Sequence, residues 1–365
     1  MASTLQAARL RLSSYEKRNL NRVRNILLSI MLLCTGITSA QQHDNIWLFG
    51  YGSNTVDSAW GGSVMKFIGD SVELSYEYRY LNIDVTNASI CDTAGNLLFY
   101  TNGIRIANAS HEIMENGEGL NPGEFADDHV VGGYILNQGA MAIPVPGNDS
   151  LFYLFHTSRD YPNNQVGHHS PEFYYSLIDI SQNNGLGAVV EKNQIIISDI
   201  LDSGKITATR HANGRDWWIL LKEYDTNGYY TVLVTPDDII DYGVQNVGNA
   251  YPHGLGQATF SPDGSKYVLY NLVNINEGNY LNIYDFDRCI GLLSNPIHQI
   301  LIDTAWSGGV AISPNSRFLY VSSYKYIYQY DLHADDLLAS KDTVAIYDGY
   351  WLKLLRPFNY PRVFS

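Results

Sequence analysis

Cysteine is nearly absent from this chain. Three occur in 365 residues, at positions 34, 91 and 289. No CxxC or CxxH spacing is present, which removes the common zinc frameworks, and two cysteines about two hundred residues apart do not make a disulfide scaffold. Buried free thiols are the expected state of Cys91 and Cys289. Charge is also scarce, at 16% of residues, and Lys plus Arg number 23 against 37 Asp plus Glu. A net charge of −14 excludes the basic footprint that nucleic acid or an anionic membrane surface requires. Long apolar runs are missing after residue 40, so no membrane insertion is expected of the mature chain. No segment beyond that point carries an amphipathic helix pattern. GxSxG, the phosphate-loop pattern and HExxH, HxH or HxxxH are all absent.

What is abundant is tyrosine, 28 residues, within short runs rich in Val, Ile, Leu and Phe that read as strands. The clearest is Gly256–Asn271, GQATFSPDGSKYVLYN: a strand, a turn on Pro262-Asp263-Gly264 and a second strand. Pro suits the first turn position and Gly the site needing positive φ. The pattern returns as Gly309–Ser323, GVAISPNSRFLYVSS. Related hairpins are expected around Thr93-Ala94-Gly95, Pro146–Asp149 and Ala212-Asn213-Gly214. Hairpins recurring at about fifty residues predict an all-β fold, a β-propeller of four-stranded blades. Five blades carry a recognisable inner hairpin. A sixth, at Asn45–Tyr78, offers three strands and lacks the innermost one, which propellers often borrow from the other terminus. About six blades are thus represented.

At the N-terminus, Arg18, Arg22 and Arg24 precede the apolar run Ile26–Leu33, and Thr38-Ser39-Ala40 offers small residues for cleavage. Residues 1–40 therefore read as a secretory signal peptide, leaving 41–365 as the propeller. The tail Asp348–Ser365 is apolar and Pro-broken, and does not read as a further hairpin. It either supplies the missing inner strand or marks a chain that stops short. Location outside the cytoplasm follows: extracellular or cell surface, or periplasm.

Five stretches, NIWLFGYG (45–52), CDTAGNLLFYTNG (91–103), KITATRHANGRDWW (205–218), SPDGSKYVLY (261–270) and YDFDRCIGLLSNPI (284–297), resemble the N-terminal propeller of Bacteroidetes secreted and surface proteins. Such propellers are similar to WD-repeat and lactonase-like folds, and the resemblance implies seven blades in an intact family member. The resemblance implies a fold and a lineage associated with type IX secretion and gliding, and no particular activity. No C-terminal sorting domain is read here, and the tail after Asp348 departs from the family pattern.

Candidate site residues are few. His211 follows a predicted inner strand and His253 precedes one, so both are expected to face the central channel. His129, His168 and His169 lie in loops that would cover its mouth. These are channel or rim candidates for a metal or a general base; the plain alternative is a structural histidine tying loop to strand. Asp92, Asp149 and Asp263 are expected to hold turns rather than calcium. Trp217, Trp218, Tyr224, Tyr229 and Tyr230 would stack a sugar or peptide if they converge, and otherwise pack sheets. No catalytic, cofactor or metal residue is assigned. The function expected is that of a non-enzymatic scaffold binding a protein or glycan, through the 117–133 and 160–170 loops on one rim. The alternative is a lactonase-like or other metal-dependent hydrolase with its site in the channel.

Overall fold

A computed structural model describes residues 42–50, 52–53, 61–69, 71–162, 166–274, 278–302, 308–323 and 325–347. The expected signal peptide and the tail after residue 347 lie outside the described residues. The strands all belong to the compact unit that begins at His43.

The hydrophobic runs pair as meandering antiparallel sheets. The first holds β1 (Ile46–Phe49), β2 (Ser63–Ile68) and β3 (Ser71–Tyr76). The second is built from β4 (Ala88–Cys91), β5 (Leu97–Thr101), β6 (Arg105–Asn108) and β7 (Ile113–Glu118), and the third from β8 (Ala140–Pro144), β9 (Leu151–Thr157), β10 (Ser170–Asp179) and β11 (Ala188–Leu201). The fourth takes β12 (Thr207–Arg210), β13 (Trp217–Lys222), β14 (Gly228–Val234) and β15 (Ile239–Asn246). The fifth takes β16 (Leu255–Phe260), β17 (Lys266–Asn274), β18 (Gly278–Asp287) and β19 (Leu292–Leu301). The last takes β20 (Gly308–Ile312), β21 (Phe318–Ser323), β22 (Tyr326–Asp331) and β23 (Asp342–Ile346). The fold is an all-β propeller of four-stranded sheets, with a three-stranded first sheet.

Apolar side chains alternate along the inner strands, so the second to fifth sheets have two apolar faces and pack against a neighbour on either side. The core is accordingly divided into seams. One joins Ile46, Leu48 and Val64 to Tyr100 and Ala107. Successive seams join Phe99 to Phe152, Phe155 to Ile219, Leu220 to Leu269 and Val268 to Val321.

The first strand of each complete sheet lies innermost, and these strands run parallel to one another. Leu136 N–H donates to Thr86 Oγ1 (3.1 Å) and Lys205 N–H to the Asn137 carbonyl (2.9 Å), while Val310 N–H donates to Gln257 Oε1 (3.1 Å). β1 runs the other way against β4: Cys91 N–H donates to the His43 carbonyl (2.8 Å) and Ser89 Oγ to the Ile46 carbonyl (2.7 Å). It therefore holds the second position in its sheet, and among the described residues no strand takes the innermost place. Its inner edge is nevertheless engaged, since Ile46 and Leu48 accept from Ser89 and Asn87. Side chains of β4 and of Asn87 just before it thus fill bonds that an added strand would make.

Two features depart from expectation. The stretch 117–133 is not wholly irregular: β7 reaches Glu118, and Glu124–Asp128 forms a short helix, α1. The second and third sheets also join through a parallel bridge between Glu115 on β7 and Ala188 on β11. Lys192 Nζ fastens this join by donating to the carbonyls of Asn116 (3.1 Å) and Glu118 (2.8 Å) and to Asn116 Oδ1 (2.8 Å).

Candidate functional site

Turn chemistry fixes the hairpins. Asp92 Oδ1 accepts from the backbone of Ala94 and Asn96, both at 2.9 Å, and Asp263 Oδ1 accepts from Ser265 N–H at 2.9 Å. At the Asp149 turn the same task falls to Asn148, which accepts from Ser150 and Leu151. These hairpins, and His211 with them, lie at the ends where the inner strands finish. The segments that lead into the inner strands gather at the other end.

There the two long loops meet. Phe125, buried on α1, has the Tyr134 ring at 5.3 Å, the Tyr161 ring at 5.0 Å and the Arg159 guanidinium at 5.1 Å. Tyr161 Oη donates to Asp128 Oδ2 (2.7 Å), and Arg159 also donates to the Ile135 carbonyl. His129 closes the helix, stacked on Phe125 at 4.2 Å with Nδ1 2.7 Å from the Phe125 carbonyl. The loop then crosses to the fourth and fifth sheets. Gly167 N–H donates to Tyr224 Oη (2.9 Å), and Ser203 Oγ to the His168 carbonyl (3.1 Å). Gly167 sits where a side chain would collide: a Cβ there would lie 2.8 Å from Tyr224 Oη and 3.0 Å from His253 Nε2.

Tyr224, His253 and Asp225 form a line. Tyr224 Oη is 3.2 Å from His253 Nε2, the two rings stack at 4.2 Å, and His253 Nδ1 is 2.8 Å from Asp225 Oδ1. Asp225 accepts through Nδ1–H, which leaves Nε2 as the acceptor for the tyrosine. Beneath this line lies buried charge. Lys205, at φ +60°, pairs with Asp202 at 3.0 Å and donates to the Gly254 carbonyl. Lys222 lies 4.4 Å from the centre of the Tyr251 ring. Burial pushes its ammonium down to about 8, with Asp202 opposing the shift.

The five candidate histidines thus divide. His129, His168, His169 and His253 share the loop face, whereas His211 lies at the far end of the inner strands, with Nε2 3.2 Å from the Cys289 carbonyl. The six residues of β16 separate the levels of His211 and His253, roughly 20 Å at about 3.3 Å per residue. The two therefore lie at opposite ends of the inner strands and are not brought together in one site: one follows an inner strand, the other precedes one, and the strands are parallel. The inner edge of β16 is moreover occupied by Gln138, whose amide bonds both backbone groups of Ala258. Among the described residues, no three His, Cys, Asp or Glu side chains come together as a metal site.

The aromatic stretch does not converge either. Trp218 and Tyr229 are buried between the fourth and fifth sheets, Trp217 lies under Arg210 at 3.7 Å, and Tyr230 bonds Asp199. Alternation along β13 and β14 sends neighbours to opposite faces. Cys91 is buried, its thiol pushed up to about 11 by desolvation, but Cys289 is exposed. Its place beside the Asp287–Gly291 turn explains why burial fails there.

No family model matches the chain, and no curated protein matches it. Similar solved structures exist at low identity. A candidate 6-phosphogluconolactonase of Bacteroides fragilis is 10% identical with a TM-score of 0.41, covering 85% of this chain and 97% of its own. The periplasmic gluconolactonase of Pseudomonas aeruginosa is 10% identical at 0.40, covering 83% and 96%. TolB of Acinetobacter baumannii is 12% identical at 0.37, covering 78% and 60%. At such scores these likenesses carry no statement about substrate or partner.

Proposed function

We propose that this chain is an exported, non-enzymatic β-propeller that binds a protein or glycan partner at or beyond the cell surface, through the loop face described above. The observation that carries this reading is the docking of the two long loops on each other. Tyr161 and Asp128, thirty-three residues apart, are bonded at 2.7 Å, and the buried Phe125 anchors both segments. The two loops thus form one joined edge. It presents Tyr161 and Val131, 39% and 75% exposed, among the exposed acids Glu124, Asp127, Asp128 and Asp160. The neighbouring cations are turned inward: Arg159 lies over Phe125, and Lys205 and Lys222 are buried. A polyanionic partner does not fit such a face. Export rests on the leader pattern at residues 18–40.

The test is partner capture from a cell-surface extract, comparing the native protein with a Tyr161→Ala, Val131→Asp double variant and with His211→Ala at the opposite end. Loss of a captured partner in the double variant alone supports this face. Equal capture by all three proteins would sink the rim model. A second reading, a lactonase-like or other metal-dependent hydrolase, is favoured by one observation, the Asp225–His253–Tyr224 line. Hydrolysis of lactones or esters by the purified protein, abolished in His253→Ala, would replace the scaffold reading.

A further inference from the structure

We propose that the contact between the 166–169 segment and the Tyr224–His253 line is an acid-sensitive seam, which loosens when the His168 ring is protonated. As regulation of the docking face, this rests on the function proposed above; as a property of the seam, it is measured without any partner.

The argument begins with the His168 ring. Its Nδ1 is buried and has no hydrogen-bond partner, while the Asp160 backbone bonds the ring. A neutral imidazole tolerates an idle lone pair in that position. A protonated one places an N–H donor, and a positive charge, where nothing accepts it. The surroundings add to the cost. Burial, then the Arg159 guanidinium, then His253 and His169 all disfavour the charged form; only the Asp160 backbone favours it.

The groups facing the ring across the seam respond differently. His253 holds Asp225 at 2.8 Å, so its own protonation strengthens that pair and adds a cation near His168. Protonation at Nε2 also ends the Tyr224-to-His253 bond in its neutral form, because Nε2 ceases to accept. His169, 7% exposed, has Nδ1 3.0 Å from the Gly167 carbonyl and its ring centre 6.3 Å from that of Tyr224. Asp202, the acid below, is already paired with Lys205. No carboxylate among these is left to receive His168, whose Nδ1 is buried although the residue as a whole is only half-buried. The bonds given up are Gly167 N–H to Tyr224 Oη and Ser203 Oγ to the His168 carbonyl.

The sign follows. A histidine that binds its proton less readily folded than unfolded stabilises the contact at neutral pH, and that contribution falls as pH drops below the ordinary histidine value of about 6.5. The experiment is amide exchange of Gly167 and His169, corrected for intrinsic rate, at pH 7.5 and pH 5, on the native protein and on His168→Gln. The expected result is a loss of protection of about tenfold or more at pH 5 in the native protein, on the order of 1.4 kcal/mol, and a much smaller loss in His168→Gln. Unchanged protection in the native protein overturns the inference, as does an equal loss in the variant. If His168→Gln does not fold, histidine ring titration by NMR on the native protein decides: a His168 midpoint at or above that of an exposed histidine overturns it, and a lower one supports it. None of these outcomes depends on partner capture, so failure of the docking face and failure of the seam are separately visible.

Discussion

Gln138 and Ala258 are 120 residues apart, yet they pair like neighbours in a sheet. Gln138 Nε2 donates to the Ala258 carbonyl at 2.9 Å, and Ala258 N–H donates to Gln138 Oε1 at 2.8 Å. Gln138 belongs to the segment entering β8, and Ala258 is in the middle of β16. The inner strand of a propeller sheet has one edge with no strand beside it, and here a side-chain amide satisfies it. Gln138 reaches this position from φ +47°, and its own carbonyl accepts from Ile206 N–H at 3.1 Å. One residue thus ties three sheets together at the loop face.

Gln138→Ala removes both bonds and leaves Ala258 N–H and C=O without partners. The expected cost is about 1–3 kcal/mol in urea unfolding. Gln138→Glu keeps the acceptor and loses the donor, so it should fall between native and alanine. An alanine variant as stable as native would mean that water satisfies this edge equally well.

Lys222 makes stability rise with pH. Its folded value is about 8 against about 10.4 for an unfolded lysine. Between these values the unfolded chain binds more protons, so stability increases from about pH 8 towards 10. Lys222→Met should flatten that rise in thermal unfolding. Above pH 10 the trend should reverse, since burial holds the phenols of Tyr229 and Tyr251 well above their ordinary value. The unfolded chain then loses tyrosine protons that the folded chain keeps.

His156 makes stability fall in acid. It is fully buried, with Nδ1 2.7 Å from Asn121 Oδ1 and Nε2 2.9 Å from Ser176 Oγ. Burial pushes its ring down to about 3. Below about pH 6.5 the unfolded chain takes a proton that the folded chain refuses, so stability should decline from there to about pH 3. His156→Gln should weaken this dependence while lowering stability at pH 7. A variant with the native acid profile would show that another group controls it.

Asp202→Asn should be more damaging than the double change Asp202→Asn, Lys205→Met. The single change strands a buried ammonium, at a cost of about 3–5 kcal/mol, whereas removing the pair together costs less. Chemical unfolding of the two variants compares them directly. A double variant that is less stable than the single one, with losses that add, would show that the two side chains act independently.

Sequence alone carried the architecture to an unusual degree, because its signals are local. Asp263 and Gly264 make their own turn: Asp263 bonds Ser261 and Ser265, and Gly264 stands at φ +72°. Period-two alternation on either side then sends Val268 and Leu269 to opposite seams. Such hairpins recur, and recurrence at blade spacing leaves few alternatives to a propeller. The three-stranded first sheet was legible for the same reason. The helix at Glu124–Asp128 was not: it is too short for any periodic pattern, and tertiary contacts such as Phe125 packing on Tyr134 and Tyr161 hold it.

The loop face was decided by tertiary structure. His168, Tyr224 and His253 were each visible as residues, but nothing in their spacing says that Gly167 touches both Tyr224 and His253. Nor does it say that His211 lies at the other end. That follows from strand direction around the axis, where a residue after one inner strand and a residue before the next fall on opposite faces. The aromatic run from Trp217 to Tyr230 shows the converse: adjacency in sequence is dispersed by the two-residue repeat of a strand. Turns and alternation depend on bonds within a few residues, so the chain states them outright. The Gln138–Ala258 bridge, the Tyr224–His253 line and the seam at His168 depend on segments meeting across long separations, and only the assembled propeller brings them together.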